Sequence, residues 1–258
     1  MRTDRVHALE RHICQKGSVT MEDLCRHFQV SMNTMRRDVA ELVKRGSVEK
    51  VYGGVQVRRD TGLMPYDLRR GEHELAKSAI GRRAAEFVQD EDVIFVDSGS
   101  TSMHMMDYLT QRRELTVITH NLEAIIRAAP CENINNISLP GQLRRKTNSF
   151  TSDETARSLR GYNIRTAFMA ATGASAYGVT NSSPQEYEVK KAAMSNCERS
   201  ILLLTSDKFG VTGLLTFAQL SDFHMIITDQ LPALEYQELI RQSGAKLVIA
   251  SDQDNERA

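Results

Sequence analysis

Near the start of the chain, Val6, Leu9 and Ile13 recur at helical spacing, and then Lys16-Gly17-Ser18-Val19 interrupts the pattern. Met21, Leu24, Cys25 and Phe28 follow at i, i+3, i+4 and i+7, behind Thr20, which stands three residues before Asp23 as a capping box requires. After Gln29-Val30, Ser31 is a suitable N-cap for a third helix. In that helix Met35, Val39, Leu42 and Val43 share one apolar arc when each residue advances by about 100°. Asn33, Arg37, Ala40 and Lys44 then point the opposite way. Arg36 falls at the edge of the arc, where its stem can pack while its guanidinium reaches outward. Two β-prone runs, 48–52 and 55–57, flank Gly53-Gly54, a dipeptide suited to a tight turn, so a β-hairpin wing is expected after the third helix.

Beyond residue 58 the pattern changes. Residues 59–75 read as a linker, and Ala76, Ile80, Ala84 and Phe87 then mark a helix. Short apolar runs alternate with helical segments from there on: VIFVD, a helix from Thr101, LTVIT, a helix from Leu122, NISLP, AFMAAT, a helix from Pro184, SILLLTS, HMIITD, a helix from Leu234, and KLVIA. Such alternation predicts an α/β domain with a mostly parallel sheet covered on both faces, here over 76–252, followed by a polar tail at 253–258. No internal repeat or low-complexity stretch interrupts it.

Charge sharpens the division. The whole chain of 258 residues is formally neutral, with 33 Lys+Arg against 33 Asp+Glu. Residues 1–59 carry 12 Lys+Arg and 7 Asp+Glu, a net of +5, and the rest carries −5. A basic N-terminal module attached to an acidic remainder suggests a nucleic-acid-binding part joined to something of different purpose. The four cysteines are widely separated and match no metal-ligand or disulfide spacing, so a reduced cytosolic protein is expected, with no metal and no cofactor. The N-terminus is charged from its second residue and no apolar run is long enough to span a bilayer, so neither a signal peptide nor a membrane segment is expected.

Two capped helices around a tight turn supply the chemistry of a helix-turn-helix. The first turn of the second helix would face the major groove, where Arg pairs with guanine and Asn with adenine, while hydroxyls and the helix N-terminus hold phosphate. Polar residues beside an amphipathic helix are usually a solvated face; here the turn, the wing and the local positive charge occur together. The residues expected at DNA are Thr20, Ser31, Asn33, Thr34, Arg36, Arg37, Lys44, Lys50, Tyr52, Gly53 and Gly54. In the second domain most strands end in small polar residues, and in open α/β sheets those carboxyl ends line the ligand crevice. The sharpest of them is Asp97-Ser98-Gly99-Ser100-Thr101, where a glycine between hydroxyl residues leads into a helix and presents amides and hydroxyls to an anion. Thr119, Asn121, Gly173, Lys190, Asp207 and Lys208 complete the expected effector site. The bland alternatives are that the loop is only a helix cap and that Lys190, next to Lys191, belongs to a solvated face. His104 and His120 read as surface or packing residues, and the methionines between Met64 and Met169 as core filler.

The stretch GSVTMEDLCRHFQVSMNTMRRDVAELVKRGSVEKVYGGV resembles the N-terminal domain of DeoR-type bacterial transcriptional regulators, with its valine-serine turn, threonine-x-arginine-arginine-aspartate helix and glycine-glycine wing, over roughly residues 3–58. Lys50 stands where that family's wing usually has arginine, which keeps the charge but loses the planar fork. Residues 76–252 resemble the family's sensor domain, similar in fold to ribose-5-phosphate isomerase and glucosamine-6-phosphate deaminase. The resemblance implies that phosphorylated sugars or related metabolites bind Asp97, Gly99, Ser100, Thr101, the Thr119–Asn121 strand end, Lys190 and Lys208. Three positions depart from the pattern: Thr205 and Arg165 replace aspartates, and Pro140 replaces the first of two glycines. A pocket without those carboxylates suits a different, more acidic ligand.

The implied protein is a cytosolic homo-oligomeric repressor of a carbohydrate-catabolism operon, not an enzyme, with double-stranded operator DNA and a phosphorylated metabolite as partners. A sugar-phosphate isomerase or deaminase would need a positioned base, for which Glu186, Glu188 and Asp207 are the candidates. An architectural DNA-binding protein that senses nothing is the third reading.

Overall fold

A computed structural model describes residues 5–6, 8–9, 12–13, 16–45, 48–57 and 64–250, without the side chains of Lys44, Arg45 and Val57. The polar tail falls outside the described residues, as do residue 58 and 59–63 of the expected linker. The chain forms two compact units, Met1–Arg69 and Arg70–Ala258.

In the first unit the described residues of 5–16 are helical (α1). They are followed by β1 (Ser18–Thr20), α2 (Met21–Phe28), α3 (Met32–Arg45), β2 (Val48–Val51) and β3 (Gly54–Val57). The amphipathic pattern dictates the packing: Val6, Leu9, Ile13, Leu24, Met35, Val39 and Leu42 form one buried cluster with Val48 and Val55 of the wing. Thr20 caps α2 by accepting from the Asp23 amide at 3.1 Å, and its hydroxyl donates to the Asp23 carboxylate at 2.8 Å. α2 ends at Gln29, which is left-handed at φ 50°, and the Ser31 hydroxyl caps α3 by accepting from Thr34 N at 3.3 Å. The expected hairpin is present, and β1 adds a third strand to give the order β1-β3-β2. Gly53 has φ +75° in the turn, and a Cβ on Gly54 would lie 2.4 Å from Val19 O, so only glycine lets β3 approach β1 this closely.

Part of the expected linker is helix: α4 (Tyr66–Gly71) precedes α5 (Glu74–Ala85). Tyr66 and Leu68 are buried, the reason this stretch does not behave as a polar spacer.

The second unit is built on a parallel seven-stranded sheet, whose strands are β4 (Val93–Val96), β5 (Leu115–Thr119), β6 (Ile134–Ser138), β9 (Ile164–Ala170), β12 (Cys197–Leu203), β14 (Met225–Thr228) and β15 (Lys246–Ile249). Their order is β15-β14-β12-β9-β4-β5-β6, and every pairing is parallel. Consecutive residues alternate between two cores: Ile94 and Val96 face one, with α5 and α6 (Leu122–Ala128), while Phe95 faces the other, with α8 (Pro184–Ser195) and α9 (Leu234–Ser243). The helix expected from Thr101 is a 3₁₀ segment, Ser102–Tyr108. Short elements that the apolar pattern does not announce complete the unit: the hairpin β7 (Gln142–Arg144) and β8 (Ser149–Thr151), α7 (Asp153–Leu159), and the antiparallel sheet β10-β11-β13 (Gly173–Ser175, Gly178–Asn181, Leu215–Ala218). The methionines Met103, Met105, Met106 and Met169 are buried core residues.

Strand order reverses between β4 and β9: from β4 the chain winds outward through β5 and β6, and from β9 through β12, β14 and β15. Their carboxyl ends, Asp97 and Ala170, therefore meet at a topological switch point, where ligands bind in this class of sheet.

Candidate functional site

On the first unit, Asn33, Arg36 and Arg37 are exposed along α3, and Ser31 is exposed before it. Thr34 is half-buried, its hydroxyl 3.0 Å from Ser31 Oγ. Lys50 is exposed on β2, and Tyr52 is fully exposed at the wing tip, with relative accessibility 108%. The side chain of Lys44 lies outside the described residues. Asp38 follows the two arginines but turns inward: it is buried and accepts from Arg5 Nε at 2.7 Å, tying α1 to the recognition helix. Its spacing from Met35 and Leu42 is the signal that assigns it to the packed face.

On the second unit, Asp97 is wholly buried at the switch point. Its Oδ1 accepts from Ser98 N at 2.8 Å, its Oδ2 accepts from Ala170 N at 2.9 Å, and Lys190 Nζ donates to Oδ2 in an ion pair. Lys190 also donates to Ala170 O at 2.9 Å and sits over the Phe217 ring. It is 2% exposed, so the solvated-face reading is wrong: α8 turns it inward while Lys191 faces solvent. His120 is likewise no surface residue. Its Nε2 lies 3.3 Å from Asp97 Oδ1 and its Nδ1 3.1 Å from Phe150 O. Burial alone would raise the Asp97 pKa; the charge of Lys190 and the bond and charge of His120 outweigh it and hold the carboxyl well below the usual carboxylate range. Burial also pushes the His104 imidazole down, as does the Arg127 charge.

The Thr119–Asn121 strand end holds the Asp97–Thr101 loop in place. Thr119 Oγ1 donates to Val96 O at 2.6 Å, and Asn121 Nδ2 donates to Asp97 O and Gly99 O, each at 3.2 Å, while its Oδ1 caps α6. Gly99 is required because a Cβ there would lie 2.2 Å from the Ala170 Cβ. Within this pinned loop, the amides and hydroxyls of Ser100 and Thr101 take no hydrogen bond among the described residues. Ser98 is engaged: its hydroxyl donates to buried Glu186 at 2.5 Å, and Ser149 Oγ donates to the same carboxylate oxygen at 2.8 Å. Glu186 and Ser149 thus join the site beside His120 of the expected strand end, and no local sequence signal announces Ser149 or the structural role of Glu186.

Lys208 Nζ lies 3.5 Å from Ala171 O, so both lysines flank the end of β9. Gly173 opens β10, where a Cβ would meet Val211 O at 2.2 Å. Asp207 does not converge with them. It is exposed, with its Oδ2 3.9 Å from His73 Nε2. Nor do the candidate catalytic bases assemble, since Glu188 is exposed and Glu186 is buried among hydroxyls. The departures also separate by position. Arg165 stands at the amino end of β9, where it pairs with Asp92 at 2.8 Å, so this substitution does not alter a pocket at the carboxyl ends. Pro140 O accepts from Thr155 Oγ1 at 2.5 Å. Thr205 is at the carboxyl end of β12, with a buried hydroxyl that has no partner among the described residues. Among those residues there is no metal-binding cluster, and no helix is long and apolar enough to cross a membrane.

A winged helix-turn-helix followed by a parallel α/β unit with a pinned hydroxyl-rich loop at its switch point defines a two-part transcriptional regulator. Residues 5–61 match the DeoR-like helix-turn-helix domain and residues 72–230 the DeoR C terminal sensor domain, and the chain belongs to the DeoR family. It is 38% identical to the HTH-type transcriptional regulator IolR of Bacillus subtilis, over 89% of this chain and 92% of that protein. It is 25% identical to the HTH-type transcriptional repressor GlcR of the same organism, over 97% of each chain. With the glycerol-3-phosphate regulon repressor of Escherichia coli it shares 23% identity over 95% of this chain and 98% of that one. A solved ribose-5-phosphate isomerase aligns with 53% of the chain at a TM-score of 0.40 and 16% identity, too partial a likeness to bear on activity.

Proposed function

We propose that this protein represses a carbohydrate-catabolism operon in the cytoplasm, and that a phosphorylated sugar or related metabolite, bound at the carboxyl ends of β4 and β9, sets its affinity for the operator. The observation that carries this reading is the pinned Asp97–Thr101 loop, whose Ser100 and Thr101 amides and hydroxyls have no partner among the described residues. Such a loop offers a phosphoryl group four donors without breaking any bond of the fold. Lys208, whose Nζ lies beside Ala171 O just past the end of β9, is the lysine assigned to the ligand's charge. The name of the GlcR repressor supports the mode of action, and that of the glycerol-3-phosphate regulon repressor supports both the mode of action and a phosphorylated metabolite as effector.

In the first unit, Asn33 and Arg37 read base edges, while Thr20, Ser31, Thr34, Arg36, Lys44, Lys50 and Tyr52 hold the backbone. Gly53 and Gly54 act by shaping the wing. One recognition helix gives modest specificity, so the protein works as a homo-oligomer that places two or more helices on repeated half-sites. Ligand coupling requires that the effector favour one arrangement of those helices, and that operator DNA change effector affinity by the same factor.

The reading is tested by screening phosphorylated sugars and polyols for a rise in melting temperature, since a ligand at a hundred times its Kd adds about 2.7 kcal/mol. Lys208→Ala is expected to weaken the responding ligand at least tenfold while leaving ligand-free operator binding unchanged. Equal loss of both would count against the site, and a panel that shifts nothing would favour a protein that senses no metabolite.

A further inference from the structure

A cleft of about 430 Å³ opens on the outer side of α7 and α8, lined by Arg144, Arg157 and Arg160 together with Asp153, Gln185 and Glu188. It is separate from the switch-point site. On α8, Gln185 and Glu188 are exposed toward this cleft, whereas Glu186, Val189 and Lys190 of the same helix are buried on its inner side.

Within the cleft, Arg157 holds the Glu154 carboxylate at 2.7 Å. Arg144 and Arg160 hold no carboxylate among the described residues, and Asp153 and Glu188, which share the cleft with them, hold no cation. Opposite charges that line one cleft without pairing leave room between them for a ligand that carries an anionic group for one side and hydrogen-bond donors for the other. Arg144 is also pre-oriented: its Nε donates to Thr151 Oγ1 at 3.2 Å, which fixes the plane of the guanidinium and leaves its terminal nitrogens for a second acceptor. Two arginine forks suit the oxygens of a phosphoryl group, and carboxylates beside an amide suit vicinal hydroxyls.

We propose that this cleft is a second ligand site of the sensor unit, which takes a small metabolite bearing one phosphoryl group and adjacent hydroxyls: Arg144 and Arg160 bind the phosphoryl group, and Asp153 and Glu188 accept from the hydroxyls. The site does not depend on the assignment of the switch-point loop. Calorimetric titration of the full chain with inorganic phosphate, glycerol 3-phosphate and glucose 6-phosphate tests it. At least one organic phosphate is expected to bind more tightly than inorganic phosphate. The double substitution Arg144→Gln/Arg160→Gln is expected to weaken it at least tenfold, with Lys208→Ala and the remote Arg113→Ala without effect on that component. Glu188→Gln should narrow the preference for the hydroxylated ligand over inorganic phosphate. Because Arg144 contributes to the β7–β8 hairpin, the exposed single substitution Arg160→Glu, with its circular dichroism unchanged, serves as the second variant and should give the same loss. The proposal is overturned if none of the three probes binds at 10 mM, or if their binding survives both the double substitution and Arg160→Glu. Loss of all binding on Lys208→Ala alone would overturn it too, while leaving the switch-point site standing.

Discussion

Replacing Lys190 by methionine is expected to cost the sensor unit ~3–5 kcal/mol, because it leaves Asp97 buried without its counter-charge. Both side chains are almost wholly inaccessible, at 3% and 0%, so water cannot take over the lost interaction. For a unit of this size the change corresponds to a fall in melting temperature of roughly 6–20 °C. Asp97→Asn in the same background should recover part of the loss, since the cost arises from an uncompensated carboxylate rather than from missing contact area; a double-mutant cycle would show coupling above ~1 kcal/mol. Acid supplies an independent check. The Asp97 pKa is depressed in the folded state, so its contribution is complete above the unfolded carboxylate value of about 3.9 and is lost as pH falls through the lower folded value. The gap between wild type and Lys190→Met should therefore be full at neutral pH and shrink below about pH 4. A variant as stable as wild type at pH 7 would mean that the pair is not formed.

Arg37→Ala should relax base preference at one operator position by ~1–3 kcal/mol, about fivefold to more than a hundredfold in discrimination. Arg36→Ala should weaken every duplex alike and reduce the salt slope by about one. Both side chains are exposed, so exposure does not separate them. Angular position does: Arg37 lies one helical turn from Asn33 and opposite the buried Met35, Val39 and Leu42, whereas Arg36 lies beside that buried arc. Competition binding against duplexes varied one base pair at a time, at two salt concentrations, measures both effects. An equal loss on every sequence for both variants would show that neither arginine reads a base.

The first unit was legible because its determinants are local. Thr20 and Ser31 sit immediately before the helices they cap, and the apolar residues of α2 and α3 recur within one or two turns. The parallel sheet was legible for a similar reason, since each buried strand is a short apolar run between helices. Strands of three or four mixed residues, such as those at Ser18–Thr20, Gly173–Ser175 and Gly178–Asn181, left no periodic trace, and their pairing depends on distant partners. Tyr66 and Leu68 hid a helix within a stretch otherwise rich in charge.

At the switch point, the pattern of hydroxyl residues around Gly99 pointed to the loop and to Lys190 as an added charge, but not to the contacts that hold them. Lys190 meets Asp97 across 93 positions, Glu186 meets Ser98 across 88, and His120 meets Asp97 across 23. Such pairs become neighbours only when the carboxyl ends of β4, β5 and β9 are brought together. Read alone, Lys190-Lys191 is a charged helix face, and His120 is a polar strand end. Asp207 misled in the opposite direction, because proximity in sequence to Lys208 did not bring its carboxylate to the same side of the chain.

The most direct test of a metabolite-responsive operator-binding protein is an affinity measurement on the full chain at physiological salt. A duplex obtained by selection from random sequence is compared with an unselected duplex of equal length, each with and without the metabolite that raises the melting temperature. The selected duplex should bind at least ~10³-fold more tightly, and the metabolite should change that affinity while leaving the non-specific background in place. Equal affinity for the two duplexes, or a selected-site affinity indifferent to every metabolite that binds the protein, would contradict the account.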